Sequence, residues 1–149
     1  MSTANTIKTA VVTGHHPFDV PHFHHLFRGL PGVDAYIQHL EMWSTSSEQI
    51  RDSYDAVLFY FMPTEGPAEG EPPHAALAHL GQTEQGIVVL HHALLAYPEW
   101  TAWSEVVGIA DRSFGFHDDQ QLQIEVTGAD HPITRGLAGW EMRDETYTM

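Results

Sequence analysis

The sequence predicts an α/β domain built on a mostly parallel sheet with helices on both faces. Continuous apolar runs at residues 8–13, 56–61 and 86–90 are bounded by turn signals, the form of strands buried on both faces. Amphipathic stretches with apolar residues at helical spacing lie between them. Through Gly108 the order is strand, helix, strand, helix, the alternation of right-handed crossover units.

The first strand covers residues 8–13 and leaves at Gly14. Asp19 and Pro21 mark a helix start, after which Phe23, Leu26, Phe27 and Leu30 form one apolar stripe ended by Pro31-Gly32. A second strand is expected at residues 34–40. Thr45-Ser46-Ser47-Glu48 then reads as a capping box opening a short helix through Arg51. The run Ala56-Val57-Leu58-Phe59-Tyr60-Phe61 is the third strand, expected to be central. Residues 64–73 hold three prolines, two glycines and three glutamates, a loop at a carboxyl-terminal strand end. A helix over residues 74–80 is closed by Gly81, and residues 86–90 form a fourth buried strand. Pro98 opens a helix with Trp100, Trp103 and Val107 on one face and Gly108 at its end. Beyond it the pattern changes: Leu122, Ile124 and Val126 alternate with polar residues, as in a half-exposed strand at an antiparallel edge. Residues 1–6 are polar.

The length of 149 residues and the apolar content of 42% suffice for one domain with its own core. Six basic against twenty acidic residues give a formal charge of -14, which disfavours nucleic acid and anionic membrane as partners. Twelve histidines make that charge fall in magnitude as the pH drops toward 6. The chain has no cysteine, so disulfides, thiolate metal sites and a cysteine nucleophile within it are excluded. No signal peptide or apolar span is evident, and a cytoplasmic location is the default expectation.

Ligands of doubly wound sheets bind outside the carboxyl ends of the strands, where adjacent loops diverge. Two histidine pairs fall at such ends: Gly14-His15-His16-Pro17 after the first strand and His91-His92-Ala93 after the fourth. On an extended backbone one imidazole of each pair faces the crevice and the other packs below. A divalent metal is one option, with His15 and His92 as candidate ligands and Asp19, His131 or Glu145 completing the shell, although the spacing matches no compact metal motif. Acid–base catalysis is another, with His91, His92 and Glu145 suited to moving a proton near neutral pH. The chain has no G-x-S-x-G elbow, and its first turn lacks the glycines of a dinucleotide loop, so neither a serine triad nor a nicotinamide or flavin cofactor is expected. His22, His24, His25, His74 and His79 ride helices and read as solvated. Asp130-His131-Pro132-Ile133-Thr134 has the composition of a tight turn capped by its Asp.

Taken together, Val12-Thr13-Gly14-His15-His16-Pro17-Phe18, Gly86-Ile87-Val88-Val89-Leu90-His91-His92-Ala93, Asp130-His131-Pro132-Ile133-Thr134-Arg135-Gly136-Leu137 and Asp144-Glu145-Thr146-Tyr147 resemble the ThuA-like, or trehalose-utilisation, family. The resemblance runs from about Thr9 onward. It implies a flavodoxin-like three-layer sandwich of the class I glutamine amidotransferase-like superfamily. It also implies a link to the metabolism of trehalose or related disaccharides. Where amidotransferases carry a cysteine nucleophile, this chain has Leu90-His91-His92-Ala93, which excludes glutaminase activity. By its matched motifs, the resemblance implies His15, His16, His91, His92, His131 and Glu145 as the site. Catalytic roles are expected at His91, His92 and Glu145, and substrate contacts at His15, His16, Asp19, His131 and Tyr147. The expected activity is acid–base chemistry on a keto-sugar. A non-catalytic sugar- or metal-binding subunit and a metal-dependent hydrolase are the alternatives. Residues 1–149 read as a single domain, with the option that the family's C-terminal portion is missing. A homo-oligomer is expected, because a shortened chain leaves a sheet edge to cover.

Overall fold

The computed structural model describes residues 6–149, so Met1 to Asn5 of the polar start lie outside the described residues. The chain divides into two compact units, one ending at Arg112 and the other spanning Ser113–Met149.

The first unit carries a four-stranded parallel sheet in the order β2-β1-β3-β4. Its strands are β1 (Ile7–Gly14), β2 (Val33–His39), β3 (Ala56–Phe61) and β4 (Gly86–Val89). β1 pairs with β2 and with β3, so the sheet order reverses between β1 and β3. Ala10, Val11 and Val12 are fully buried, as a central strand requires. β3 is the other central strand, and its bounds are those its apolar run predicts. β4 departs from expectation. It lies at the sheet edge with Gly86 and Val88 exposed, so its continuous apolar run reflects β propensity more than two-sided burial.

The core forms on one face of β3. Phe59 meets Trp43 and Trp103 edge to face, with ring centroids at 5.5 and 5.2 Å, and Phe61 meets Trp103 and Tyr97 at 5.2 and 5.6 Å. Such edge-to-face pairs add to the area that each ring buries. Tyr60 points the other way by strand alternation and packs on Phe23 at 4.8 Å.

The helices are α1 (Val20–Arg28), α2 (Leu40–Thr45), α3 (Glu48–Arg51), α4 (Pro72–Ala78) and α5 (Thr101–Val107), with a 3₁₀ turn at His91–Leu95. In α1 the predicted four-residue stripe narrows to Phe23 and Phe27, because Leu26 and Leu30 are exposed. Thr45 does not open a capping box. It ends α2, a helix the sequence pattern did not show, and its hydroxyl donates to Glu41 O at 2.9 Å. Ser47 is the cap of α3 instead. α4 starts two residues earlier than expected, because prolines are well accommodated in a first helical turn. α5 begins at Thr101 rather than at Pro98, so Trp100 precedes the helix, and Gly108 closes it in the left-handed conformation at φ 75°.

The second unit is a two-stranded antiparallel sheet of β5 (Gly115–Ile124) and β6 (Trp140–Thr148). The half-exposed antiparallel strand expected at Leu122 and Ile124 is present, in a two-stranded sheet of its own. Leu122 and Ile124 end a longer strand in a separate sheet, and Val126 lies beyond it. The ladder shifts register between His117 and Gln120, where Asp119 has φ 60°. Arg143 spans the irregularity by binding the Asp119 carboxylate through two guanidinium nitrogens.

Candidate functional site

The strand order puts the sheet's reversal between β1 and β3, where flanking loops diverge at the carboxyl edge and leave room for a ligand. Gly14 ends β1 there with φ 150°. An added Cβ would stand 2.9 Å from His39 Nε2, so only glycine lets the His39 imidazole close over the strand end.

His15 follows in the left-handed region at φ 57°, and His91 does the same after β4 at φ 54°. The backbone is thus not extended through either pair, and the expected one-in, one-below alternation fails. Each left-handed residue turns the chain: the two imidazoles at β1 take different neighbours, while those of His91 and His92 stay together. His15 faces His39 at a centroid distance of 6.0 Å. His16 stacks on His92 at 4.1 Å with planes 28° apart and meets His91 edge-on at 6.3 Å.

His91 and His92 have ring centroids 3.6 Å apart, and Tyr60 lies nearly parallel to His91 at 6.0 Å and edge-on to His16 at 6.1 Å. Three of the four predicted imidazoles, His16, His91 and His92, therefore share one cluster, while His15 stands on the other side of the turn. His16 Nδ1 is buried and makes no hydrogen bond among the described residues. A buried ring nitrogen of that kind is a reserved donor or acceptor. The two proposed metal candidates, His15 and His92, face different neighbours. The ring nitrogens of His91 and His92 lie within 4.8 Å of each other, close enough to share a cation, and Glu48, Asp52 and His79 bring ligand atoms equally close elsewhere in this unit.

Asp19 caps α1, accepting from His22 N at 3.1 Å and pairing with His22 Nδ1 at 2.7 Å. The hydrogen bonds from His22 hold its carboxyl below the usual carboxylate range. Among the helix histidines, His22 and His25 are exposed while His24 is half-buried.

His131, Glu145 and Tyr147 belong to the second unit. The 130–134 turn is capped by His131 rather than by Asp130, since His131 Nδ1 accepts from Ile133 N at 3.2 Å. Glu145 and Tyr147 sit two residues apart on β6, and the Tyr147 hydroxyl donates to Glu145 Oε1 at 2.6 Å. Burial, then that carboxylate, then the charges of Asp144 and Asp118 push the Tyr147 phenol up to about 12.

Sequence reasoning missed Tyr60 and His39. Tyr60 sat inside a run read as uniformly apolar, although its parity is opposite to that of Phe59 and Phe61. His39 ends β2 at the same carboxyl edge, so the rule that singled out the other histidines covers it too.

A family model described as ThuA, trehalose utilisation, matches residues 13–149. The chain belongs to the ThuA family. The match starts at Thr13, so every histidine of the β1 and β4 turns in this ThuA chain lies inside it, as do His131, Glu145 and Tyr147. Membership gives the chain a role in trehalose utilisation, and the parallel 2-1-3-4 sheet agrees with the flavodoxin-like fold that the resemblance implied. No curated protein matches the chain. No helix among the described residues is long and apolar enough to cross a membrane.

Proposed function

We infer that this ThuA protein acts on a keto-sugar derived from trehalose or a related saccharide, by imidazole acid–base chemistry at the carboxyl edge of the parallel sheet. The observation that carries the reading is the convergence of His16, His91 and His92 beside Tyr60. A neutral imidazole removes the proton from the carbon next to the ketone. The electron pair moves toward the carbonyl oxygen to give an enediolate, the hydroxyl proton on the first carbon passes to that oxygen, and the imidazolium returns its proton to the former carbonyl carbon, so that ketone and hydroxyl exchange places. His92 is the favoured base. Its stacking partner His16 fixes the plane of its ring and has a buried nitrogen to offer the carbonyl oxygen. Glu145 is given the second acid–base role by its place in the matched motif.

His92→Ala tests this directly. The expected result is a loss of roughly 10²–10⁴ in kcat on oxidised trehalose with the circular dichroism unchanged. Full activity in the variant would refute the assignment.

A second reading, metal-assisted hydrolysis, is favoured by the approach of the His91 and His92 nitrogens, which supply two of the three protein ligands usual in a catalytic zinc site. Turnover lost to a chelator and restored by zinc or manganese supports it. Turnover indifferent to chelation rejects it.

A further inference from the structure

We propose that Glu48, Asp52 and His79 form a zinc site at the amino edge of the parallel sheet, independent of the functional reading above. Each residue offers one ligand atom, and the three atoms lie within 4.8 Å of one another. His79 Nε2 stands 3.2 and 3.3 Å from the two carboxylate oxygens of Asp52. Two ligands on one tetrahedral zinc ion, with bonds of about 2.0–2.1 Å, are about 3.4 Å apart, so the imidazole and the carboxylate already keep that spacing. Glu48 opens α3 and Asp52 follows its last residue, which puts the two carboxylates one helical turn apart on the same face. The Glu48 side chain is exposed and closes the third position by rotation.

The place is separate from the histidine cluster. α3 leads into β3 and α4 leads into β4, so Asp52 and His79, which end those helices, stand at the amino edge of the sheet. His16, His91 and His92 meet at the carboxyl edge. The backbone under the ligands is fixed without a metal. Ser47 caps α3 with its side chain, Arg51 anchors the helix on Ser44 O and Ser46 O, and the Gln85 amide donates to Arg51 O and Tyr54 O, both at 2.9 Å, on either side of Asp52. The His79 amide closes α4 on Ala75 O. Ligands on a pinned backbone have little freedom left to lose when a cation binds.

The local charge favours a cation. Two carboxylates face one imidazole, and the basic side chains of this part of the fold are engaged: Arg51 on the carbonyls just named, Lys8 on Ser53 Oγ at 2.9 Å and over the Tyr54 ring at 4.6 Å. Glu48 forms no ion pair among the described residues. One imidazole nitrogen and two carboxylate oxygens are ligands that zinc accepts, whereas calcium takes about six to eight oxygens. Three protein ligands leave one position for water. An ion held there ties the crossover between β2 and β3 to the one between β3 and β4, and its effect is on stability.

The test is calorimetry and thermal unfolding of the full chain, stripped of metal by a chelator and titrated with zinc chloride at about pH 7.5, where the ligands are deprotonated. Zinc is expected to raise Tm by about 5 °C at a concentration about 100 times its Kd. His79→Ala and the isosteric Glu48→Gln should each weaken binding at least tenfold and remove most of the rise, with the circular dichroism of the metal-free chain unchanged. His91→Ala, at the opposite edge, should keep both the binding and the rise. Glu48→Gln changes an exposed side chain and decides the outcome if His79→Ala does not fold. Absence of a zinc-dependent rise in the wild type, a rise of full size in Glu48→Gln, or a rise lost in His91→Ala overturns the proposal and leaves His79 and Asp52 as an ordinary ion pair.

Discussion

The imidazoles of His16 and His92 stack at 4.1 Å with their planes 28° apart, joining the end of β1 to the turn after β4 across the intervening strand β3. His16→Ala should therefore leave His92 present but unaligned. The expected outcome is a kcat loss of roughly tenfold or more with KM little changed, the pattern of an interaction made chiefly in the transition state. Steady-state kinetics on oxidised trehalose check it. A pure KM effect would assign His16 to binding alone.

Gly14→Ala should disturb the edge without touching any ionisable group. The new methyl meets His39 Nε2 at 2.9 Å, and alanine tolerates φ 150° poorly. A stability loss of about 1–3 kcal/mol is expected in urea unfolding. An unchanged midpoint would mean that His39 moves aside freely.

Arg112→Ala should be among the more destabilising single changes in the first unit. The guanidinium donates to Ala96 O at 3.2 Å, Tyr97 O at 2.6 Å, Ile109 O at 2.9 Å and Ser104 Oγ at 2.6 Å. Its removal strands buried carbonyls and costs about 3 kcal/mol. Arg112→Lys cannot restore the fork and should recover only part of the loss. Chemical denaturation of both variants checks the order.

Alkaline pH should weaken both units through their tyrosines. Burial raises the Tyr97 phenol well above its ordinary value of 10.0, and the Tyr147 phenol stands at about 12. Between pH 10 and 12 the unfolded chain has released these protons while the folded chain keeps them. The unfolded state then binds fewer protons, and stability falls as pH rises. The contribution is complete below pH 10 and is lost through the folded values. Tyrosinate absorbance followed alongside circular dichroism should show Tyr97 and Tyr147 ionising late, with Tyr36 and Tyr60 also delayed. Tyr147→Phe should remove the second unit's share.

Much of the first unit was legible in the sequence because its signals are local. The apolar run of residues 56–61 marks a strand, and Asp19 before Pro21 marks a helix start. The turns were less legible. Nothing in His15-His16 or His91-His92 announces a left-handed backbone, since φ there is set by what the loops must pack against, and the same angle accompanies diverging rings at His15-His16 and adjacent rings at His91-His92. The edge position of β4 was hidden because apolar content reports propensity as well as burial. The pairing of β5 with β6 joins residues 16 apart at Ile124 and Trp140 and 33 apart at Gly115 and Thr148, which alternation in Leu122 and Ile124 cannot specify. Tyr60 was lost inside its own strand pattern, where parity rather than composition marks the site face.

The central claim is that the histidine cluster moves a proton next to a sugar ketone, and solvent exchange reads that step without requiring the product. Oxidised trehalose incubated with the protein in deuterium oxide should gain deuterium at the carbon adjacent to the ketone, followed by mass spectrometry. The rate should drop by roughly 10²–10⁴ in His92→Ala. Deuterium uptake no faster than in protein-free buffer, or equal in the wild type and His92→Ala, would contradict it.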